Sequence, residues 1–117
     1  MKKSANRLND YLGHILDSCN QIKKYTDHID QSEFLENRLI QDAVIRNFEI
    51  IGEASRNIDK HYPDFGQAHP ELPLGPAYQM RNAMAHGYAE VDLVLVWETI
   101  CKDVPFLSSI VTNLHKD

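Results

Sequence analysis

The chain has 117 residues, enough for one domain with a real core and too few for two ordinary ones. Its 43% hydrophobic and 25% charged residues exclude disorder, and its two cysteines, Cys19 and Cys101, make no disulfide framework. The net charge of -5 is uneven: residues 61–117 hold only Arg81, Lys102 and Lys116 against seven acids, so no broad basic surface for duplex nucleic acid is expected.

The periodicity is helical nearly throughout. Leu8, Tyr11, Leu12, Ile15, Leu16, Cys19, Ile22, Tyr25 and Ile29 recur at three- and four-residue steps and predict a long helix over 6–29. Asp30 and Glu33 have capping-box spacing, with Ser32 as a rival cap, so a short helical turn should restart there. Leu39, Ile40, Ala43, Val44, Phe48, Ile51, Ala54 and Ile58 predict a second long helix over 37–59. Residues 61–76 hold four of the five prolines and read as a loop with room for one helical turn. A short third helix should run from Pro76 or Ala77 to His86, stopped by Gly87. Asp92 should cap a last helix carrying Leu93, Val96, Trp97, Ile100, Val104, Leu107, Ile110, Val111 and Leu114, bent or broken at Pro105. The expected fold is all-α, an up-down four-helix bundle with a short third helix, forming one domain over 1–117.

The stretch that does not read as plain packing is Met80-Arg81-Asn82-Ala83-Met84-Ala85-His86-Gly87-Tyr88. Asn82 and His86 are four apart and share a helix face. A histidine at a helix C-terminus feels the negative end of the dipole, which favours its cationic form. Beside an arginine it suits a phosphodiester: histidine moves protons and arginine stabilises charge on phosphoryl oxygens. Spacing alone leaves the alternative open that the two are solvated or ion-paired surface residues.

The string Arg81-Asn82-Ala83-Met84-Ala85-His86-Gly87-Tyr88 resembles the R-x4-H-x-Y motif of the HEPN superfamily. Within it, the chain is similar to the HepT-like ribonuclease toxins that pair with MNT-type minimal nucleotidyltransferases. The second helix, from Ala43 to Ala54, resembles that family's characteristic helix, and Val91-Asp92, Val96-Trp97-Glu98 and Asp103-Val104-Pro105 resemble its last one. One departure is Leu74 after Pro73, where a bulkier aromatic would stand.

The resemblance implies a HEPN-like bundle and a homodimer whose two motifs face each other across a two-fold cleft. It implies Arg81 and His86 as the ribonuclease pair and Asn82 as the polar group orienting His86. The RNA 2′-hydroxyl would attack the adjacent phosphate, leaving a 2′,3′-cyclic phosphate and a 5′-hydroxyl. Tyr88 would receive AMP from the nucleotidyltransferase antitoxin, silencing the toxin by bulk and negative charge. No metal and no cofactor are expected. Two other readings stay open: a non-catalytic module that dimerises and binds nucleotide or a partner, and an adaptor serving mainly as the nucleotidyltransferase's substrate.

Other residues have plainer readings. Arg46 and Glu53, seven apart on one face, form a structural ion pair or support the motif helix or the dimer. Mid-helix Gly52 implies close helix approach. The apolar residues Ile50, Ile51 and the last helix exceed what one small bundle needs, which again points to a homodimer. His61 and His69 lack further ligands for a metal site. His14, His28 and His115 should be exposed, Trp97 core or interface, and Cys19 and Cys101 buried. No apolar run approaches the roughly 20 residues of a membrane helix, and the N-terminal lysines precede no apolar signal stretch. A cytoplasmic location without membrane contact is therefore expected.

Overall fold

The computed structural model describes residues 2–85 and 92–116, with side chains for 7–80 and 92–116. Six helices follow in order: α1 (Lys2–Thr26), α2 (Gln31–Glu36), α3 (Arg38–His61), α4 (Pro63–Ala68), α5 (Leu74–Ala85) and α6 (Leu93–Leu114). The four longer ones, α1, α3, α5 and α6, are the expected all-α bundle, and α2 and α4 are short connecting helices.

α1 stops at Thr26, three residues before the expected end at 29. Thr26 turns its hydroxyl onto the Ile22 carbonyl at 2.8 Å, and Lys23 and Lys24 place positive charge against the last carbonyls. Ile29 still packs against the core from the turn that follows. The restart is a complete capping box: the Asp30 carboxylate accepts from Glu33 N at 2.9 Å, and Asp30 N donates to Glu33 at 3.1 Å. Asp30, not Ser32, is the cap.

Asn37 joins α2 to α3 alone. Its backbone N–H donates to Phe34 O at the end of α2, and its side chain accepts from Ile40 N at the start of α3. Gln41 reinforces the joint from within, donating from Nε2 to the carbonyls of Phe34 at 2.9 Å and Leu35 at 3.1 Å. Ile40 and Gln41 are thus the inward positions of that first turn, which leaves Leu39 80% exposed although its spacing placed it on the apolar stripe.

The proline segment is more helical than its composition suggests. Pro63 starts α4, where a missing N–H costs nothing. α5 begins at Leu74, earlier than Pro76 or Ala77, because Pro73 O already accepts from Ala77 N at 3.1 Å. Leu74 itself is only 6% exposed and lies against Gly66, so the smaller residue fills this position.

Asp92 caps α6 as expected, accepting from Val94 N and Leu95 N at 3.1 Å each. α6 is not broken at Pro105. The proline removes the N–H that would bond the Cys101 carbonyl, but both residues lie on the exposed side, where water can take that acceptor. The inward stripe of α6 is Val96, Ile100, Val104, Leu107 and Val111, which leaves Cys101 outside it, exposed and not buried as expected.

α1 and α3 pack side by side, α6 closes on α1, and α5 lies on α3. The pairings are antiparallel: Tyr11 near the start of α1 meets Tyr62 at the end of α3, and Asn9 meets Lys116 beyond α6. Leu12, Ile15, Ile22, Val44, Ile58 and Val111 fill the centre. Gly52 is buried in α3. The C-terminus is fastened where Asn9 Nδ2 donates to Lys116 O at 2.6 Å and Lys116 N donates to Asn9 Oδ1 at 2.8 Å. His115 lies half-buried beside Gly13, where an added Cβ would come within 3.1 Å of its ring; His14 and His28 are exposed.

Candidate active site

α5 positions the motif. Leu74 is buried, and Ala77 and Met80 pack against the core, so one side of the helix is fixed on the bundle. Arg81 and Asn82 follow in the same helix, near its C-terminal end at Ala85. By register, Arg81 stands two turns beyond Leu74 on one side of α5, with Asn82 one step round from it. His86, Gly87 and Tyr88 lie outside the described residues, as does the expected stop of the third helix at His86 and Gly87.

Among the described residues, one concave region that α5 lines and two on the helices behind it carry polar side chains. An apolar cleft of about 210 Å³ sits where α3, α5 and α6 meet, lined among others by Phe48, Ala77, Met80 and Leu107. Asp103 and Thr99 are its polar members, and Phe106 stands 59% exposed at its edge. A groove of about 540 Å³ between α1 and α6 is lined by both cysteines together with Lys23 and Trp97. Trp97 is half-buried and tilts against Phe34 at 5.4 Å, tying α2 to α6. A third groove, of about 440 Å³, runs between α1 and α3 past Arg46, Glu49 and Glu53.

The supporting pair is rearranged relative to its spacing. Arg46 Nη1 lies 3.8 Å from Glu49 Oε1, one turn away, and Glu53 stands one turn further along the same groove. Arg46 remains largely exposed in that pair, so the bond is weak and the guanidinium is available to another anion.

Among the described residues, no group of three His, Cys, Asp or Glu side chains is placed to hold a metal ion. His69 instead lies 3.4 Å from Glu71, and His61 is exposed. Burial pushes the Cys19 thiol up to about 12, so Cys19 is inert near neutrality. No helix among the described residues is long and apolar enough to cross a membrane.

Sequence reasoning missed the ring contacts of Tyr11, which meets both His14 and Tyr62. Tyr11 and His14 share a face at three-residue spacing, which was a usable signal. Tyr62 comes from the far end of another helix and gave none.

Comparison with known proteins places this frame. The family described as ribonuclease HepT-like matches residues 15–114, a span that holds the second half of α1 and all the later helices. A relative from Methanocaldococcus jannaschii, named "Putative RNase MJ1380", is 41% identical over 95 residues, covering 81% of this chain and 84% of its own. One from Thermococcus cleftensis, named "Probable ribonuclease HepT", is 39% identical over 107 residues, covering 92% of this chain and 94% of its own. No solved structure gives a significant match. With its helical bundle and a match over nearly its whole length, the chain belongs to the HepT-like ribonuclease family.

Proposed function

We propose that the chain is the toxin of a toxin–antitoxin pair, a metal-independent endoribonuclease. The observation that carries this is the family match, whose span of residues 15–114 includes the R-x4-H-x-Y string at 81–88. The RNA 2′-oxygen attacks the adjacent phosphorus and loses its proton, which His86 accepts. The bond to the 5′-oxygen breaks, that oxygen takes up a proton, and a 2′,3′-cyclic phosphate and a 5′-hydroxyl remain. Arg81 stabilises the charge on the phosphoryl oxygens, and Asn82 orients His86. Arg46 and Glu53, in the α1–α3 groove rather than against α5, support the dimer.

The acid excess of residues 61–117 supports a composite site. In a homodimer with facing motifs, two Arg81 side chains share one cleft. An MNT-type nucleotidyltransferase partner transfers AMP from ATP to Tyr88, which closes the cleft by bulk and charge. The same acid excess is the one observation that favours a non-catalytic module, and a cleavage assay separates the two.

Purified protein should cleave single-stranded RNA in EDTA and leave cyclic phosphate ends, and His86→Ala should abolish cleavage with helicity unchanged. Full activity in His86→Ala, or loss of activity on chelation, overturns the mechanism. Intact-mass spectrometry with partner, ATP and Mg²⁺ should show one AMP adduct, absent in Tyr88→Phe. Light scattering should show a dimer at micromolar concentration.

A further inference from the structure

α6 carries two apolar stripes. The inward one, from Val96 through Ile100, Val104 and Leu107 to Val111, fills the core. The other is open: Leu95 is 47% exposed and Phe106 59%, and at eleven residues apart they share one side of the helix. α5 packs on α3 and α6 on α1, so the apolar cleft of about 210 Å³ beside this open stripe stays uncovered. Ala77, Met80 and Leu107 line the cleft, Phe106 edges it, and Leu95 stands clear of it. Glu98 and Lys102 are exposed alongside the stripe, and among the described residues neither forms an ion pair.

The spacing of these residues is self-complementary. A two-fold contact brings residue i of one copy onto residue j of the other and j onto i, so each such pair must be centred on the axis. Leu95 and Phe106 are centred within a residue of Ile100, and so are Glu98 and Lys102. Two α6 helices packed antiparallel across an axis at that level set Leu95 against Phe106 of the partner subunit, at the edge of its cleft. The same register sets Glu98 against Lys102 of the partner subunit. Apolar meets apolar and acid meets base together. Contact with an unrelated protein does not require that shared centre.

We propose that the outer stripe of α6 is a self-association surface, packing antiparallel on α6 of a second copy with Leu95 seated at the cleft beside Phe106 of the partner subunit. It is separate from the α1–α3 groove that holds Arg46 and Glu53. It goes beyond the ribonuclease reading and does not rest on it. Together with the motif-facing dimer, a second two-fold contact builds a closed tetramer. The contact uses one helix and few side chains from each copy, so it is weak and fills only as concentration rises.

The test is sedimentation equilibrium of the full chain from micromolar to submillimolar concentration, where the mass should rise from dimer towards tetramer. Phe106→Lys, at an exposed position, should keep its helicity and raise the dissociation constant of that step roughly 30-fold, the worth of one interface anchor. Glu98→Lys should weaken the step by setting cations face to face, and Glu98→Lys combined with Lys102→Glu should restore it. A dimer that never grows, growth unchanged in Phe106→Lys, or a double swap no better than Glu98→Lys overturns the proposal. Each of these leaves the stripe to a partner of other chemistry and the motif-facing dimer intact. A micromolar monomer that grows only to a dimer, weakened by Phe106→Lys, would overturn the motif-facing dimer and leave this contact standing. A monomer at every concentration overturns both.

Discussion

α3 and α5 lie against each other yet are built on opposite principles. α3 runs 24 residues from an asparagine cap and buries Val44, Phe48, Ile51, Ala54 and Ile58 on one face. It would seek a partner surface in any compact fold. α5 has 12 residues, with Gly75 and Pro76 in its first turn and Pro73, which has no capping side chain, just before it. Its described anchors are Leu74, Ala77 and Met80. Short isolated helices are marginal in water, so α5 is helical chiefly because α3 holds it. The difference separates a scaffold, whose sequence is spent on packing, from a motif carrier, whose small residues leave room for polar ones.

Four substitutions would break or sharpen that contrast. The largest effect belongs to the motif. Arg81→Ala should lower RNA cleavage by about 10²- to 10³-fold, the usual loss when one charge-stabilising donor is removed, with the thermal midpoint nearly unchanged. A fall in midpoint matching the fall in rate would show instead that Arg81 is part of the scaffold.

The next effect belongs to the scaffold. Phe34 is 0% exposed and packs on Trp97, so Phe34→Ala should cost about 3–5 kcal/mol in urea unfolding. The folded fraction should keep its cleavage rate. Activity lost before structure would mean that α2 contributes to the site.

Cys19 and Cys101 separate buried from open scaffold. Thiol reagents at pH 8 should label Cys101 in the folded protein and reach Cys19 only on unfolding. Cys19 has its folded pKa raised from 9.0 to about 12, so folding favours its neutral form. That contribution is fully present below pH 9 and is lost as pH rises towards 12. Cys19→Ala should flatten the alkaline part of the stability profile, measured by urea midpoints across that range.

The smallest effect tests α5 directly. An added Cβ at Gly75 would meet nothing within 4 Å. Its chain neighbour Pro76, however, crowds a Cβ on the helical residue before it, so Gly75→Ala should lower stability slightly, and amide exchange should quicken in α5 more than in α3. Equal quickening in both helices would mean that α5 does not open on its own.

The contrast also explains what was legible. α1, α3 and α6 announced themselves by periodicity, and Asp30 and Asp92 by cap chemistry, because both signals are local. The stretch at residues 80–88 stood out by its resemblance to a known string and not by its spacing. What failed depended on neighbours. Leu39 fits the stripe of α3 but falls where Ile40 and Gln41 take the inward places. Cys101 fits an apolar helix but sits just outside its inner edge. Arg46 and Glu53 share a face, yet Glu49 is nearer. The Asn9–Lys116 fastening joins residues 107 apart and has no local signature at all.

The single-residue joint at Asn37 fixes the reading frame of the whole bundle. One residue closes α2 and opens α3, so there is no slack between them. An insertion there would turn every later residue of α3 about a quarter of the way round its axis, carrying Val44 and Ile51 off the core and α5 with them. The stretch at residues 69–72, between α4 and α5, has no such double duty and should absorb the same insertion by bulging outward. In a scan of single-residue insertions scored by soluble yield, positions 36–38 should therefore be intolerant and 69–71 permissive. The length of this protein is constrained at a bend of one residue and free in the turn that looks the more rigid for its prolines.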